Sequence, residues 1–360
     1  MPLSSVPLPA PAPRRTLLRA AVAGGLTALT AGAAHAAGRS APAAPAARAA
    51  APPPLARLPE TWILACDQAT QSVLLLDATS AYWRSGGADD SARAADLQSL
   101  WSWTPVDDAT LDDLDPVRTW RNVSEAKARP TAHGPLLLTC ASGGLVAAVR
   151  REGEAVYWAT ALPAVSNPHS VELLPDGNIA VAASTGGFVR LYAASRGERA
   201  TAYASFDLPG AHGLLWDAGD GLLWALGSAL LVGLAVEGSP ANPGLRAVRT
   251  VALPDSGGHD LARAVGPGAP LWVSTSAHVR LFAPGSGTFT AFGDADGVDR
   301  PSVKSVSQHP VSGQILTVSP EPGAPCTWCT SRIRFHGPGG EEELRGSSLY
   351  KARWWSADAS

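Results

Sequence analysis

A strand pair that returns six times constrains this chain more than any other feature of its sequence. Its first member reads Ile63-Leu-Ala-Cys-Asp67, Leu137-Leu-Thr-Cys-Ala141, Ala180-Val-Ala-Ala-Ser184, Leu223-Trp-Ala-Leu-Gly227, Leu271-Trp-Val-Ser-Thr275 and Ile315-Leu-Thr-Val-Ser319. Each is a short apolar run ending in a small or polar residue, the pattern of a buried strand entering a turn. A second strand follows each one, at Val73–Asp77, Leu145–Val149, Val189–Tyr192, Leu231–Leu234, Val279–Phe282 and Ile333–Phe335. Five units add a third, with Leu100–Trp103, Val156–Trp158, Ala202–Phe206, Val248–Val251 and Phe289–Phe292. The 36 glycines and 31 prolines supply the turns that so many short strands require.

A fourth strand precedes each apolar run. Its anchors are Lys127, His169, His212, His259, Lys304 and Lys351, spaced by 42, 43, 47, 45 and 47 residues. From anchor to the fourth residue of the next apolar run the distance is always 13 to 15 residues. A period of 40–50 residues with four short strands per unit is the signature of a β-propeller. The reading is an all-β, six-bladed β-propeller of four-stranded blades spanning residues 59–356. The first unit begins directly at Trp62 and lacks its own fourth strand. Lys351-Ala-Arg353 repeats Lys127-Ala-Arg129, so the C-terminal strand is expected to complete the first blade and remove the free edges.

Anchor strands of a propeller line its axial channel. Three contiguous lysines (Lys304, Lys351, Lys127) then face three contiguous histidines (His169, His212, His259). Two ammonium groups about 9 Å apart repel by roughly 2 kcal/mol at an effective dielectric near 20. Such crowding favours proton loss or recruitment of an anion. Three histidines on adjacent blades could hold one divalent metal with an open position. They could equally hydrogen-bond neighbouring blades, and the lysines could form inter-blade salt bridges. Strand alternation places Arg129 and Arg353 below their lysines and Val171, Leu214 and Leu261 below the histidines. Glu125 and Asn167 fall two residues above their anchors, and Glu125 is the acid best placed to pair with the lysines.

The N-terminus reads as a leader. Arg14-Arg15 precedes an uncharged apolar run from Ala20 to Ala34, and Ala34-His35-Ala36 is a cleavage-like site. Residues 1–36 are expected to be a twin-arginine-type signal peptide, which implies export to a periplasmic or extracellular space. The run is too short for stable membrane insertion. Residues 37–58 form an Ala/Pro linker expected to be disordered. Without the leader the chain carries 25 basic and 31 acidic residues, a balance that disfavours nucleic acid as a partner. In an exported chain Cys326-Thr-Trp-Cys329 reads as a local disulfide, whereas Cys66 and Cys140 read as buried small hydrophobes. Asp294-Ala-Asp296-Gly297-Val-Asp299 departs from a calcium loop and reads as a solvated turn.

With Asn167-Pro-His-Ser170, Ala211-His-Gly213, Trp216-Asp217, Gly258-His-Asp-Leu261 and Val303-Lys-Ser305, the chain resembles a family of exported bacterial propellers known only as a domain of unknown function. The resemblance spans roughly residues 60–355 and implies the fold and the prominence of the His and Lys anchors. More distantly, the channel resembles that of oligogalacturonate lyase, a seven-bladed family whose histidines hold a divalent metal against a uronate carboxylate. The expectation is a monomeric binding protein for a small anionic ligand or glycan end, an acidic sugar among the candidates. Lys127, His169, His212, His259, Lys304, Lys351, Arg129, Arg353, Glu125 and Asn167 would contact it. One alternative is a metal-assisted lyase or hydrolase on acidic saccharides, with His169, His212, His259 or Lys127 as catalytic groups. Another is a protein-interaction scaffold.

Overall fold

Each apolar run becomes a strand whose side chains are buried on both faces, and each small-residue ending becomes the turn to the next strand. The computed structural model describes residues 61–79, 99–293, 297–337 and 340–355. The leader at 1–36, the linker at 37–58 and Asp294 and Asp296 lie outside the described residues. Blade 1 contains β1 (Trp62–Asp67), β2 (Ser72–Asp77) and β3 (Ser99–Trp103). Blade 2 contains β4 (Val123–Arg129), β5 (Leu136–Ala141), β6 (Leu145–Arg150) and β7 (Val156–Ala161). Blade 3 contains β8 (Pro168–Leu173), β9 (Ile179–Ala183), β10 (Phe188–Tyr192) and β11 (Tyr203–Asp207). Blade 4 contains β12 (Gly213–Asp217), β13 (Leu222–Leu226), β14 (Leu230–Ser239) and β15 (Asn242–Ala252). Blade 5 contains β16 (Asp260–Arg263), β17 (Leu271–Ser274), β18 (Val279–Ala283) and β19 (Thr288–Ala291). Blade 6 contains β20 (Ser305–Gln308), β21 (Ile315–Val318), β22 (Arg332–His336) and β23 (Gly340–Glu343). The last strand, β24 (Leu349–Trp354), pairs antiparallel with β1 and completes blade 1.

All six sheets are antiparallel and four-stranded, and the innermost strands β24, β4, β8, β12, β16 and β20 touch in a closed ring. The six-bladed reading and its C-terminal closure therefore hold. The structure adds a fourth strand to blade 6, β23, whose Gly-Glu-Glu-Glu sequence carries no apolar signal. The β14–β15 hairpin also runs well past its predicted core, to Ser239 and Asn242.

Alternation along the strands feeds apolar clusters between neighbouring blades. Leu138, Val146 and Trp158 of blade 2 meet Val171 and Val181 of blade 3, and Leu226 and Trp224 of blade 4 meet Leu261 and Phe282 of blade 5. Full burial of a Leu or Phe contributes about 1.5–3 kcal/mol, so these seams set the spacing of the inner strands. Cys66 and Cys140 are buried free thiols, as read from the sequence, and burial pushes Cys140 up to about 12. Cys326 and Cys329 are joined as a disulfide. Asp299 accepts the backbone N–H of Val279 at 2.8 Å and lies 3.1 Å from His278 Nδ1.

Two glycines explain how the histidine approaches are made. Gly210 and Gly257 have φ of +66° and +76°, two residues before His212 and His259. A Cβ at either would collide with Ser228 or Ser276 of the neighbouring turn. Only glycine gives both the left-handed backbone and the close approach.

Candidate functional site

The anchors do not share one depth. The backbone N–H groups of His212, His259 and Lys304 donate to the carbonyls of Leu226, Ser274 and Val318 at 2.8, 2.9 and 2.8 Å. Those acceptors are the fourth residues of their apolar runs, so the three anchors occupy one layer. On β8 the register shifts between Pro168 and Ser170, and the extra residue, His169, joins that layer. A shift on β24 sets Tyr350 and Lys351 together opposite Cys66. On β4, however, Glu125 faces Cys140 while Lys127 faces Leu138. Glu125 therefore matches Gly213, Asp260 and Ser305, the residues that follow the ring anchors; the bulged Ser124 takes the ring position of blade 2, and Lys127 lies deeper than its spacing predicted. The cause is a bulge at Ser124, which adds a residue before the strand becomes regular.

Below the ring an ion-pair network crosses the axis. Lys351 Nζ lies 3.3 Å from Glu125 Oε2, 3.2 Å from Asp260 Oδ1 and 3.3 Å from the His169 carbonyl. Arg353 donates from Nε to Glu125 Oε1 at 2.8 Å and from Nη2 to Asp260 Oδ1 at 2.6 Å. Lys127 Nζ donates to the Leu214 carbonyl at 2.6 Å and to Ser170 Oγ at 3.1 Å, with Glu172 Oε2 at 3.4 Å. Arg129 grips both oxygens of Glu172 at 2.6 and 2.7 Å. Glu125, Glu172, Asp260, Lys127 and Lys351 are all at most 1% exposed. Burial opposes ionisation of Glu125, yet the charges of Arg353, Lys351 and Lys127 outweigh it and hold the carboxyl well below its usual range. Asp260 and Glu172 are held low in the same way, chiefly by Arg353 and by Arg129.

Sequence reasoning found Glu125 and missed Glu172, Asp260, Ser170 and Tyr350. Alternation from His169 places Val171 at the axis. The shift at His169 instead turns Ser170 and Glu172 toward Lys127 and sends Val171 into the seam with blade 2. Leu214 likewise joins an inter-blade cluster, whereas Leu261 reaches the axial cavity. The available signal was charge: four cations on inner strands require carboxylates, and Glu125, Glu172 and Asp260 lie on those strands.

Above the network the histidines form a stack. The His169 and His212 rings lie 4.0 Å apart at 19°, and His259 meets His212 edge-on at 5.1 Å. The Tyr350 hydroxyl sits 3.2 Å from both His169 Nδ1 and His212 Nε2, donating to one and accepting from the other. His212 Nδ1 is 3.2 Å from Ser184 Oγ. Lys304 Nζ donates to His259 Nε2 at 3.1 Å, which leaves the proton of neutral His259 on Nδ1, a buried atom with no partner. Burial pulls His169 down to about 3, with Lys351 acting in the same direction. Burial and Lys304 pull His259 down to about 4. His212 is pushed well below its ordinary value by burial and by His169. Burial and the Lys351 charge bring Lys304 down to about 8. Four of the six ring nitrogens are engaged by Tyr350, Ser184 and Lys304. Among the described residues no group of three His, Cys, Asp or Glu is arranged to hold a metal. The three-histidine metal centre considered from the sequence is thus not preformed. Asn167 lies outside the ring, at φ +54° with its amide 3.3 Å from Thr185 Oγ1.

The opposite end of the inner strands opens into a cavity of about 770 Å³. Lys127, Arg129, Arg150, Arg263, Arg353 and Glu172 face it, together with Trp216, Trp354, Tyr157, Leu215 and Leu261. Arg263 is held 3.1 Å from Asp217, a buried residue at the end of β12. The Arg150 guanidinium lies over the Tyr157 ring at 5.9 Å and donates to the His133 carbonyl at 3.4 Å; it forms no ion pair among the described residues.

Fold and axis together define a six-bladed β-propeller whose channel is crossed by buried ion pairs, with a histidine stack at one end and an arginine-rich cavity at the other. The chain belongs to a family of unknown function, DUF6528, whose model matches residues 91–359. Among solved structures it is similar to a protein of unknown function from Bacteroides caccae, at 11% identity and a TM-score of 0.50. That match covers 81% of this chain and 97% of the other. It is also similar to a catalytically inactive virginiamycin B lyase from Staphylococcus aureus, at 12% identity, a TM-score of 0.42, and 62% and 71% coverage. The first of these likenesses speaks to the fold alone. No curated protein matches the chain.

Proposed function

We propose that this propeller is an exported binding protein for a small anionic ligand, and that the ligand sits in the arginine-rich cavity. One observation carries the reading: five cationic side chains face that cavity against one carboxylate, and Arg150 has no ion-pair partner among the described residues. The volume of about 770 Å³ falls within the usual range for small-molecule sites. Trp216, Trp354, Leu215 and Leu261 supply flat apolar walls beside the charges. A ring with one polar and one apolar face and a carboxylate, such as a uronic acid, matches that combination. Of the residues singled out by sequence, Lys127, Arg129 and Arg353 line this cavity, while Lys304, Lys351 and the histidines belong to the ring and network behind it. The leader at residues 1–36 would deliver this activity outside the cytoplasm.

Calorimetric titration tests the reading with galacturonate, its methyl ester and galactose as probes. The acid is expected to bind at least about tenfold more tightly than either neutral probe, a difference of ~1.4 kcal/mol. Arg150→Ala is expected to remove most of that preference. Equal binding of all three probes, or none of any, overturns it.

A further inference from the structure

The chain contains 25 arginines and three lysines, Lys127, Lys304 and Lys351, and all three lysines lie at the axis. Arginine serves wherever a surface cation is needed. A residue type confined to the axis marks a place where a compact amine does what a guanidinium does not. For Lys127 and Lys351 the reason is packing, because each ammonium fits among carboxylates and carbonyls from different blades. Lys304 is different. It forms no ion pair among the described residues, and its hydrogen-bonding partner is the imidazole of His259.

We infer that Lys304 is a nucleophilic amine that forms an imine with a small aldehyde or keto acid entering from the histidine end, with His259 moving the proton. The amine attacks the carbonyl carbon and gives a carbinolamine. A C=N bond then replaces the C=O bond, and the carbonyl oxygen leaves as water. His259 Nε2, 3.1 Å from Nζ, accepts the proton released on attack and returns it to the departing oxygen. The step is a reversible condensation and requires no oxidant or reductant. The electrostatics enlarge the free-amine fraction near neutral pH, although the ammonium remains the major form. Lys304 is 9% exposed, faces the charge of Lys351 and the uncharged His259, and is lowered to about 8 by burial first and Lys351 second. Asp260 is the carboxylate on the adjoining strand, and Arg353 and Lys351 already engage it. This site lies at the far end of the axis from the arginine-rich cavity and does not depend on what that cavity binds.

Having three lysines makes the test specific. The intact protein is incubated with glyoxylate and cyanoborohydride, which reduces the imine to a stable adduct, and peptide mass spectrometry locates it. In native protein near neutral pH, Lys304 is expected to label roughly tenfold faster than the same lysine in denaturant, with Lys127 and Lys351 unmodified until unfolding. His259→Ala is expected to slow labelling while leaving Lys304 its preferred target. A purely structural lysine, being buried, would label more slowly in the native state than in denaturant. That result, or equal labelling of all three lysines in the native state, overturns the inference.

Discussion

Among the described residues, every guanidinium at the cavity end of the axis but that of Arg150 is held by a carboxylate, and Lys304 at the histidine end has none. Arg129 has Glu172, Arg263 has Asp217, and Arg353 has both Glu125 and Asp260. The carboxylates Glu125, Glu172 and Asp260 are held below their ordinary range, so the charge at that end and in the network persists across physiological pH. The histidine end buries its groups largely uncharged, and its one amine lies within reach of neutral pH. The difference teaches that a cationic residue on an inner strand is not yet a ligand-facing charge. Its partner on the next blade decides which it is.

The sharpest way to break this contrast is to remove a cation from each side. Lys351→Met leaves Glu125 and Asp260 short of a buried partner and is expected to cost about 3–5 kcal/mol in urea unfolding. Lys304→Met removes a buried charge that has no carboxylate among the described residues and is expected to change stability by less than about 1 kcal/mol. Similar costs for both would erase the distinction. Acid comes next in size. His169 and His259 have folded values below 6.5, so the unfolded chain binds their protons first and stability falls as pH drops below 6.5 toward 4. A melting temperature that declines across that window checks the sign, and one that stays flat down to pH 4 contradicts a neutral stack. Tyr350→Phe removes the hydroxyl shared by His169 and His212 and is expected to cost about 1 kcal/mol. Arg150→Ala is the smallest perturbation of the fold, within about 0.5 kcal/mol. Its effect belongs to ligand titration, and a large loss of stability would show that Arg150 is structural.

Much of the architecture was legible because the apolar runs repeat with their turns, and burial on both faces leaves them no other register. Closure by β24 was legible from Lys351-Ala-Arg353 for the same reason. The axis was harder, since phase shifts on β4 and β8 move its side chains. The bulge at Ser124 moved Lys127 below the ring, and the extra residue at His169 turned Glu172 inward and Val171 outward. Bulges carry no composition of their own, so alternation counted from an anchor fails after one. The acid strand β23 escaped because an outer edge strand needs no apolar face. The cavity escaped because its walls come from the ends of all six inner strands, which only the closed ring brings together.

Closure through β24 also governs when the molecule can be finished. The partner of β1 follows every other strand of the ring in the sequence, so a chain made only as far as β23 cannot seal it. The same strand carries Lys351 and Arg353, the cations that neutralise Glu125 and Asp260. Sealing and charge compensation therefore arrive with one strand. A product truncated before Leu349 keeps an open β1 edge and buries two carboxylates short of these cations. The presence of that one strand is thereby converted into a physical difference that quality control can read.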